Sequence, residues 1–283
     1  MNTAQVESQY PRNAALSYYD GPELVDTLLD ALTRAGLNPD ALDIDDLAPL
    51  DEFHALGRAA SLALAELAAV QQDERVLDVG AGIGGPARFL AARYGARVTA
   101  LDATARFCHA AQLLTHGTGL DERVEIVCGD ALELPFADHS FDVAWTQAII
   151  QNIADKPRFI AELARVVRPG GRIALFEVVA GSGGPLEFPV PWGDCEEHSF
   201  LITAPELREL LGSRPLVLTS WNEGQVALNA IATAAQSIPA LPADPQIGLH
   251  LLMPDYQARM AGLARNVAHQ KIALVQALAR RTD

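Results

Sequence analysis

Val76-Leu77-Asp78-Val79-Gly80-Ala81-Gly82-Ile83-Gly84-Gly85 is an apolar run that breaks into glycines, and it continues into an amphipathic stretch, Pro86-Ala87-Arg88-Phe89-Leu90-Ala91-Ala92-Arg93. A buried parallel strand hands over to a helix in this way when the turn between them must admit a ligand against bare backbone. Gly80 and Gly82 can take positive φ and carry no Cβ to hold a ligand off, while Gly85 is expected to let the helix pack closely on the strand. The helix start adds unpaired N–H groups. About twenty residues on, an acid is expected at the end of the next strand, where it can take a pair of ribose hydroxyls. Asp102 closes Ala96-Arg97-Val98-Thr99-Ala100-Leu101 and fits that place. The pattern points to a nucleotide-like cofactor.

Later segments narrow the reading. Asp78 lies two residues before Gly80, where a carboxylate can orient the glycine turn and receive an ammonium group. A third strand, Val124-Glu125-Ile126-Val127-Cys128, ends in Gly129-Asp130-Ala131. A fourth, Phe141-Asp142-Val143-Ala144-Trp145, follows Leu134-Pro135-Phe136. A helix then leads to Val166-Val167-Arg168-Pro169-Gly170-Gly171-Arg172 and a fifth strand from Ile173 to Val179. In this order the segments resemble the class I S-adenosylmethionine-dependent methyltransferases, over residues 50 to 180. The glycine spacing alone also fits a nicotinamide-dependent oxidoreductase, but that reading leaves Gly129-Asp130-Ala131 and Arg168-Pro169-Gly170-Gly171 without a role.

The resemblance implies an α/β fold, a doubly wound Rossmann-like sheet of seven strands. Its last strand runs antiparallel beside the fifth, with N-terminal helices and a helical lid inserted near the C-terminus. It implies S-adenosylmethionine as cofactor. Asp78 and Gly80 carry over to the methionine end, Ala81 and Gly82 to the close backbone approach, Asp102 and Ala103 to the ribose, and Asp130 with Ala131 to the adenine edge. Gln147 falls near the methionine portion, and Tyr19 is a candidate to cover the sulfonium side. Asp102 and Asp130 also suit helix N-caps, and Tyr18 and Tyr19 suit a packing pair.

Within the family the chain is most similar to the small-molecule branch that includes sarcosine and dimethylglycine, tocopherol and quinone methyltransferases. Tyr18-Tyr19-Asp20, Asp51-Glu52-Phe53-His54, Gly84 to Leu90 and Phe188-Pro189-Val190-Pro191-Trp192 carry that likeness. It departs from many relatives after the fourth strand, where a histidine pair is common and Thr146-Gln147-Ala148-Ile149-Ile150-Gln151-Asn152 stands here.

A sulfonium methyl is already electrophilic, so in-line transfer needs alignment above all, and a base only where the acceptor atom must lose a proton. His54 is the candidate catalytic base. Glu177, inside the fifth strand, is either a second candidate or a brace for a neighbouring loop. Trp192 and Trp221 are candidates for an apolar wall around the acceptor. The expected activity is methyl transfer to an oxygen, nitrogen or carbon of a small-molecule acceptor. The alternative is a protein of the same fold that binds the cofactor but catalyses cyclisation or decarboxylation, or serves as a binding subunit.

Composition sets outer limits. The 283 residues are 49% hydrophobic, enough for one large α/β domain with an added cover. Asp and Glu outnumber Lys and Arg by 36 to 21, and the net charge of −15 opposes nucleic acid or anionic lipid as a partner. Cys108, Cys128 and Cys195 are odd in number and lack metal-ligand spacing, so neither a disulfide framework nor a metal site is expected. The first residues lack an export pattern, and no apolar run is long enough to span a bilayer, which implies a cytoplasmic protein. Three regions of one integrated domain follow: a helical cap over 1–72, the cofactor core over 73–180, and the completed sheet with an acceptor-covering lid over 181–283. Helices are expected over Pro22 to Ala35, Leu50 to Val70, Thr203 to Leu211, Gly224 to Ala235 and Tyr256 to His269. Leu216 to Trp221 and Ile272 to Leu278 complete the strands, with Pro239 to Pro245 as an interruption.

Overall fold

The computed structural model describes residues 19, 24–224, 226–227 and 246–283. Seven strands form one sheet: β1 (Arg75–Val79), β2 (Arg97–Asp102), β3 (Val124–Cys128), β4 (Phe141–Gln147), β5 (Val167–Ala180), β6 (Leu216–Glu223) and β7 (Ile272–Arg281). Their order is β3-β2-β1-β4-β5-β7-β6. The first five pair in parallel, and β7 runs antiparallel between β5 and β6, as the resemblance implied.

Helices α1 (Leu24–Arg34), α2 (Ala48–Asp51) and α3 (Gly57–Ala68) precede β1, and α4 (Gly85–Tyr94) and α5 (Ala105–Gly117) follow β1 and β2. Helix α6 (Lys156–Val166) follows β4, α7 (Ala204–Leu211) precedes β6, and α8 (Tyr256–Ala268) precedes β7. Alternate residues of a strand point to opposite faces, so Val76 packs beneath α3 and α4 while Leu77 and Val79 pack against α6 and α7. Both faces of the central strands β1, β4 and β5 are covered, which is why they read as largely apolar runs.

Local chemistry fixes the helix starts. Thr203 caps α7 in a capping box with Glu206, and Asp155 caps α6 by accepting from the Arg158 N–H. The expected helix from Leu50 to Val70 is instead two, α2 and α3. Glu52 and His54 turn inward to hydrogen-bond Arg58 and Ser61, and Leu56 reverses the chain at φ 69°. Gly85 also has a different reason from the expected one. A Cβ there would lie 2.1 Å from the Asp51 carbonyl oxygen, so this glycine seats α4 on α2 and not on the strand.

Buried Arg88 joins the same two elements. Its Nη2 reaches Asp51 Oδ1 at 2.5 Å and its Nη1 donates to the Ile83 carbonyl at 2.8 Å. The N-terminal helices are thereby fastened to the glycine turn. The helix expected over Gly224 to Ala235 and the proline-rich interruption lie largely outside the described residues. No helix among the described residues is long and apolar enough to cross a membrane.

Candidate active site

The carboxyl ends of β1, β2, β3 and β4 open into a cavity of about 1590 Å³. The sheet order reverses between β2 and β4 around β1, the place where open α/β sheets bind ligands. From β1 and its turn come Asp78, Gly80, Ala81 and Gly82. The N–H groups of Gly80 and Ala81 donate to the Leu101 carbonyl at 2.8 and 3.0 Å, which folds the turn over the end of β2. Gly80 and Gly82 take φ of 75° and 56°. They are not equivalent: a Cβ on Gly80 would meet Ile149 Cδ1 at 2.5 Å, whereas one on Gly82 meets nothing within 4 Å. Gly82 leaves space for a ligand, and Gly80 leaves space for the loop after β4.

Asp102 accepts from the Gly82 N–H through Oδ2 and from the Thr104 N–H through Oδ1, each at 2.8 Å. It thus shapes both the glycine turn and the start of α5 while facing the cavity beside Ala103. Asp130 accepts from the Leu132 N–H at 2.8 Å and lines the cavity with Ala131. Asp78 differs. Its Oδ2 is buried without a hydrogen-bond partner, and burial together with the Asp102 and Glu52 charges pushes its carboxyl up to about 8.

At the end of β4, the Trp145 Nε1–H donates to Gln147 Oε1 at 2.9 Å, and the Ser61 hydroxyl reaches the same oxygen at 3.1 Å. Indole nitrogen is only a donor, so the amide orientation is fixed and Gln147 Nε2 is left without a partner at the cavity wall. Glu177 braces the loop that follows, accepting from Thr146 Oγ1 at 2.7 Å and from the Ile149 and Ile150 N–H groups at 3.0 Å. Burial pushes it up to about 7 against those bonds. It stands behind the wall, as a brace. The braced loop carries Gln151 and Asn152 into the cavity, and the Tyr19 hydroxyl donates to Asn152 Oδ1 at 3.1 Å.

His54 lines the cavity. Its Nε2 lies 2.8 Å from Glu52 Oε2 and 3.2 Å from Ser61 Oγ, and its Nδ1 faces the Ala55 carbonyl at 3.1 Å. Burial opposes charge on Glu52, but His54, Arg58 and Ser61 outweigh it and hold the carboxyl down at about 2. The surrounding walls are apolar: Phe53, Leu249, Met253, Met260, Leu263 and Ile272 among them, with Trp192. Trp221 does not join Trp192 there. It lies on β6 with the Arg208 guanidinium 5.7 Å from its ring centre and its Nε1 on Glu223. Ser61 and Gln151 were not singled out by the sequence, because their partners, Gln147 for Ser61 and the Ala148 carbonyl for Gln151, become apparent only once the chain is folded.

The orphaned Asp78 oxygen, the orphaned Gln147 amide and the open side of Gly82 fit a cofactor with a cationic amino-acid end and a nucleoside. Comparison with known proteins agrees. The methyltransferase domain family matches residues 77–175. The chain is 35% identical over 215 residues to methyltransferase GfsG of Streptomyces halstedii, covering 73% of this chain and 74% of that one. It is 34% identical over 111 residues to the glycine/sarcosine/dimethylglycine N-methyltransferase of Actinopolyspora halophila, covering 39% of this chain but 20% of that enzyme.

Among solved structures, the [4+2]-cyclase SpnF superposes with a TM-score of 0.61 at 23% identity, covering 92% of this chain and 93% of that one. The phosphoethanolamine N-methyltransferase 2 of Haemonchus contortus, solved with S-adenosylmethionine, gives 0.63 at 18% identity, covering 95% and 60%. These two likenesses concern the fold. With the glycine turn, the acid after β2 and the reversed sheet order all in place, the chain belongs to the class I S-adenosylmethionine-dependent methyltransferases.

Proposed function

We propose that this methyltransferase acts on a hydroxyl of a large, mostly apolar small molecule, with His54 taking the proton. The observation that carries the reading is the Glu52–His54 pair set in an otherwise apolar wall. A histidine backed by a buried carboxylate is needed where the nucleophilic atom must lose a proton, and is superfluous where it need not. With the Nε2–H donated to the Glu52 carboxylate, a neutral ring has its lone pair on Nδ1, which takes the proton of the acceptor hydroxyl; the Nδ1–H so formed can then donate to the Ala55 carbonyl 3.1 Å away. The resulting imidazolium is stabilised by the adjacent Glu52 carboxylate.

S-adenosylmethionine supplies the electrophilic methyl group. Asp78 would hold its ammonium and Gln147 Nε2 its carboxylate, while Gly82 admits the backbone approach. Asp102 with Ala103 would take the ribose, Asp130 with Ala131 the adenine edge, and Tyr19 would cover the sulfonium side. The cavity exceeds the roughly 300–1,000 Å³ of a single small-molecule pocket, which leaves room for an acceptor beside the cofactor. Trp192 belongs to the acceptor's wall.

The test is transfer of a labelled methyl group to a panel of apolar hydroxylated compounds, with the product linkage read by mass spectrometry. An ether product is expected, with kcat falling about 10²–10⁴-fold in His54→Asn while S-adenosylhomocysteine affinity is unchanged. Full turnover by His54→Asn, or methylation at nitrogen or carbon alone, would overturn the assignment.

A further inference from the structure

Ser61 on α3 is wholly buried between two groups that the proposed reaction uses, Gln147 and His54. Its Oγ lies 2.7 Å from Glu52 Oε2, 3.1 Å from Gln147 Oε1 and 3.2 Å from His54 Nε2. A hydroxyl has one proton to donate, and neither a carboxylate nor an amide oxygen has one to give back. The Ser61 proton therefore goes to Glu52 or to Gln147, never to both. Glu52 is the nearer and is charged, so it holds the proton while the cavity is empty. In that state the Glu52 carboxylate takes His54 and Ser61 on Oε2 and Arg58 on Oε1. Gln147 Oε1 takes only the Trp145 indole, and its Nε2 has no partner.

We infer, resting on the roles proposed above for Gln147 and His54, that Ser61 is a positioning residue whose proton turns from Glu52 to Gln147 when the cofactor is seated, coupling the cofactor to the base. A carboxylate accepting from Gln147 Nε2 pushes electron density through the amide onto Oε1 and makes that oxygen a stronger acceptor, because hydrogen bonds in series polarise one another. Glu52 gives up little by losing one donor, since His54 and Arg58 remain on it. Once the hydroxyl has turned, the His54 Nε2–H no longer shares Oε2 with Ser61, and its bond to Glu52 tightens. The ring is then held in the tautomer that leaves the lone pair on Nδ1.

The other groups around His54 keep their partners. Arg58 stays on Glu52, Asp51 on Arg88, and Glu177 on Thr146 and the loop N–H groups, while the Phe176 ring stands edge-on at 6.1 Å. Asp78, which feels the Glu52 charge, meets the cofactor ammonium whether or not Ser61 is present, so a Ser61 variant separates the two effects.

The experiment follows the ring nitrogens of isotope-labelled histidine by NMR, with His54 assigned from its absence in His54→Asn, as S-adenosylhomocysteine is added. The His54 Nε2 resonance should move downfield as the native protein fills and stay in place in Ser61→Ala. Adenosine, which lacks the carboxylate, should leave it in place in the native protein, an arm that decides the matter even if Ser61→Ala does not fold. An equal shift in Ser61→Ala or with saturating adenosine would overturn the inference, as would a fixed resonance in native protein saturated with S-adenosylhomocysteine. Failure of the underlying roles would show separately, as absence of S-adenosylhomocysteine binding by calorimetry or as full turnover by His54→Asn.

Discussion

A carboxyl group pushed up to about 8 is protonated at neutral pH, and Asp78 keeps its proton while no cation faces it. An ammonium group placed beside Oδ2 reverses the balance, so cofactor binding near pH 7 should release close to one proton. Calorimetric titration with S-adenosylhomocysteine in phosphate and in Tris should give enthalpies that differ by the buffers' ionisation heats, and Asp78→Asn should remove the difference. The same shift bears on stability. The folded value lies above the ordinary carboxyl value of 3.8, so between about pH 4 and pH 8 the folded protein binds more protons than the unfolded chain. The Asp78 contribution to stability is therefore complete below that window and is lost as pH rises through it.

The two turn glycines should separate by assay. Gly82→Val is expected to abolish S-adenosylhomocysteine binding in a folded protein. Gly80→Val should lower the melting temperature first, because its side chain would displace Ile149. In the sequence both glycines carried the same signal, positive φ near a ligand; only the fold shows which neighbour each one clears.

At the scale of elements, the first residues of the loop after β4 are braced by the Glu177 carboxylate. Glu177→Ala would strand the buried Ile150 N–H at a cost of about 1–3 kcal/mol, with less from the half-buried Ile149 N–H, and urea unfolding should report their sum with little change in slope. Arg88 makes a comparable joint between α2 and α4. Removing one partner of a buried ion pair costs about 3–5 kcal/mol, so Arg88→Ala should destabilise by that much, measured the same way. Strands β1, β4 and β5 were legible because burial on both faces writes largely apolar runs into the chain. The break between α2 and α3 was not, since the apolar spacing from Leu50 to Val70 continues across it. What ends α2 is the inward turn of Glu52 and His54, polar residues whose partners Arg58 and Ser61 are brought to them by the fold. The position of Trp221 was hidden for a related reason: an aromatic residue near a strand end reads alike whether it faces the cavity or stands, as here, with the Arg208 guanidinium over its ring.

On the scale of the whole molecule, the cavity is closed by segments far apart in sequence that meet on one core side chain. Arg106 on α5 donates to the Tyr19 carbonyl at 2.6 Å and to the Leu252 carbonyl at 3.4 Å. Arg106→Ala should release both flanks together, seen as faster hydrogen exchange around Tyr19 and residues 249–253 and as a raised KM for the acceptor. That the flanks cover the cleft followed from their lengths and from the resemblance; that one arginine pins both did not, because Arg106 and Leu252 are 146 residues apart.

The antiparallel strand has a consequence for how each molecule is born. Strand β7 pairs with β5 from Arg172↔Arg280 to Ala180↔Ile272 and with β6 on its other side, yet it is translated after every other described strand. Domains assemble as the chain leaves the ribosome, N-terminal parts first. The five parallel strands and the glycine turn emerge together, while β5 and β6 wait with unpaired edges. Ile272, Ala273 and Leu274 line the cavity, so the side of the cavity that the glycine turn supplies can form before the side that β7 supplies.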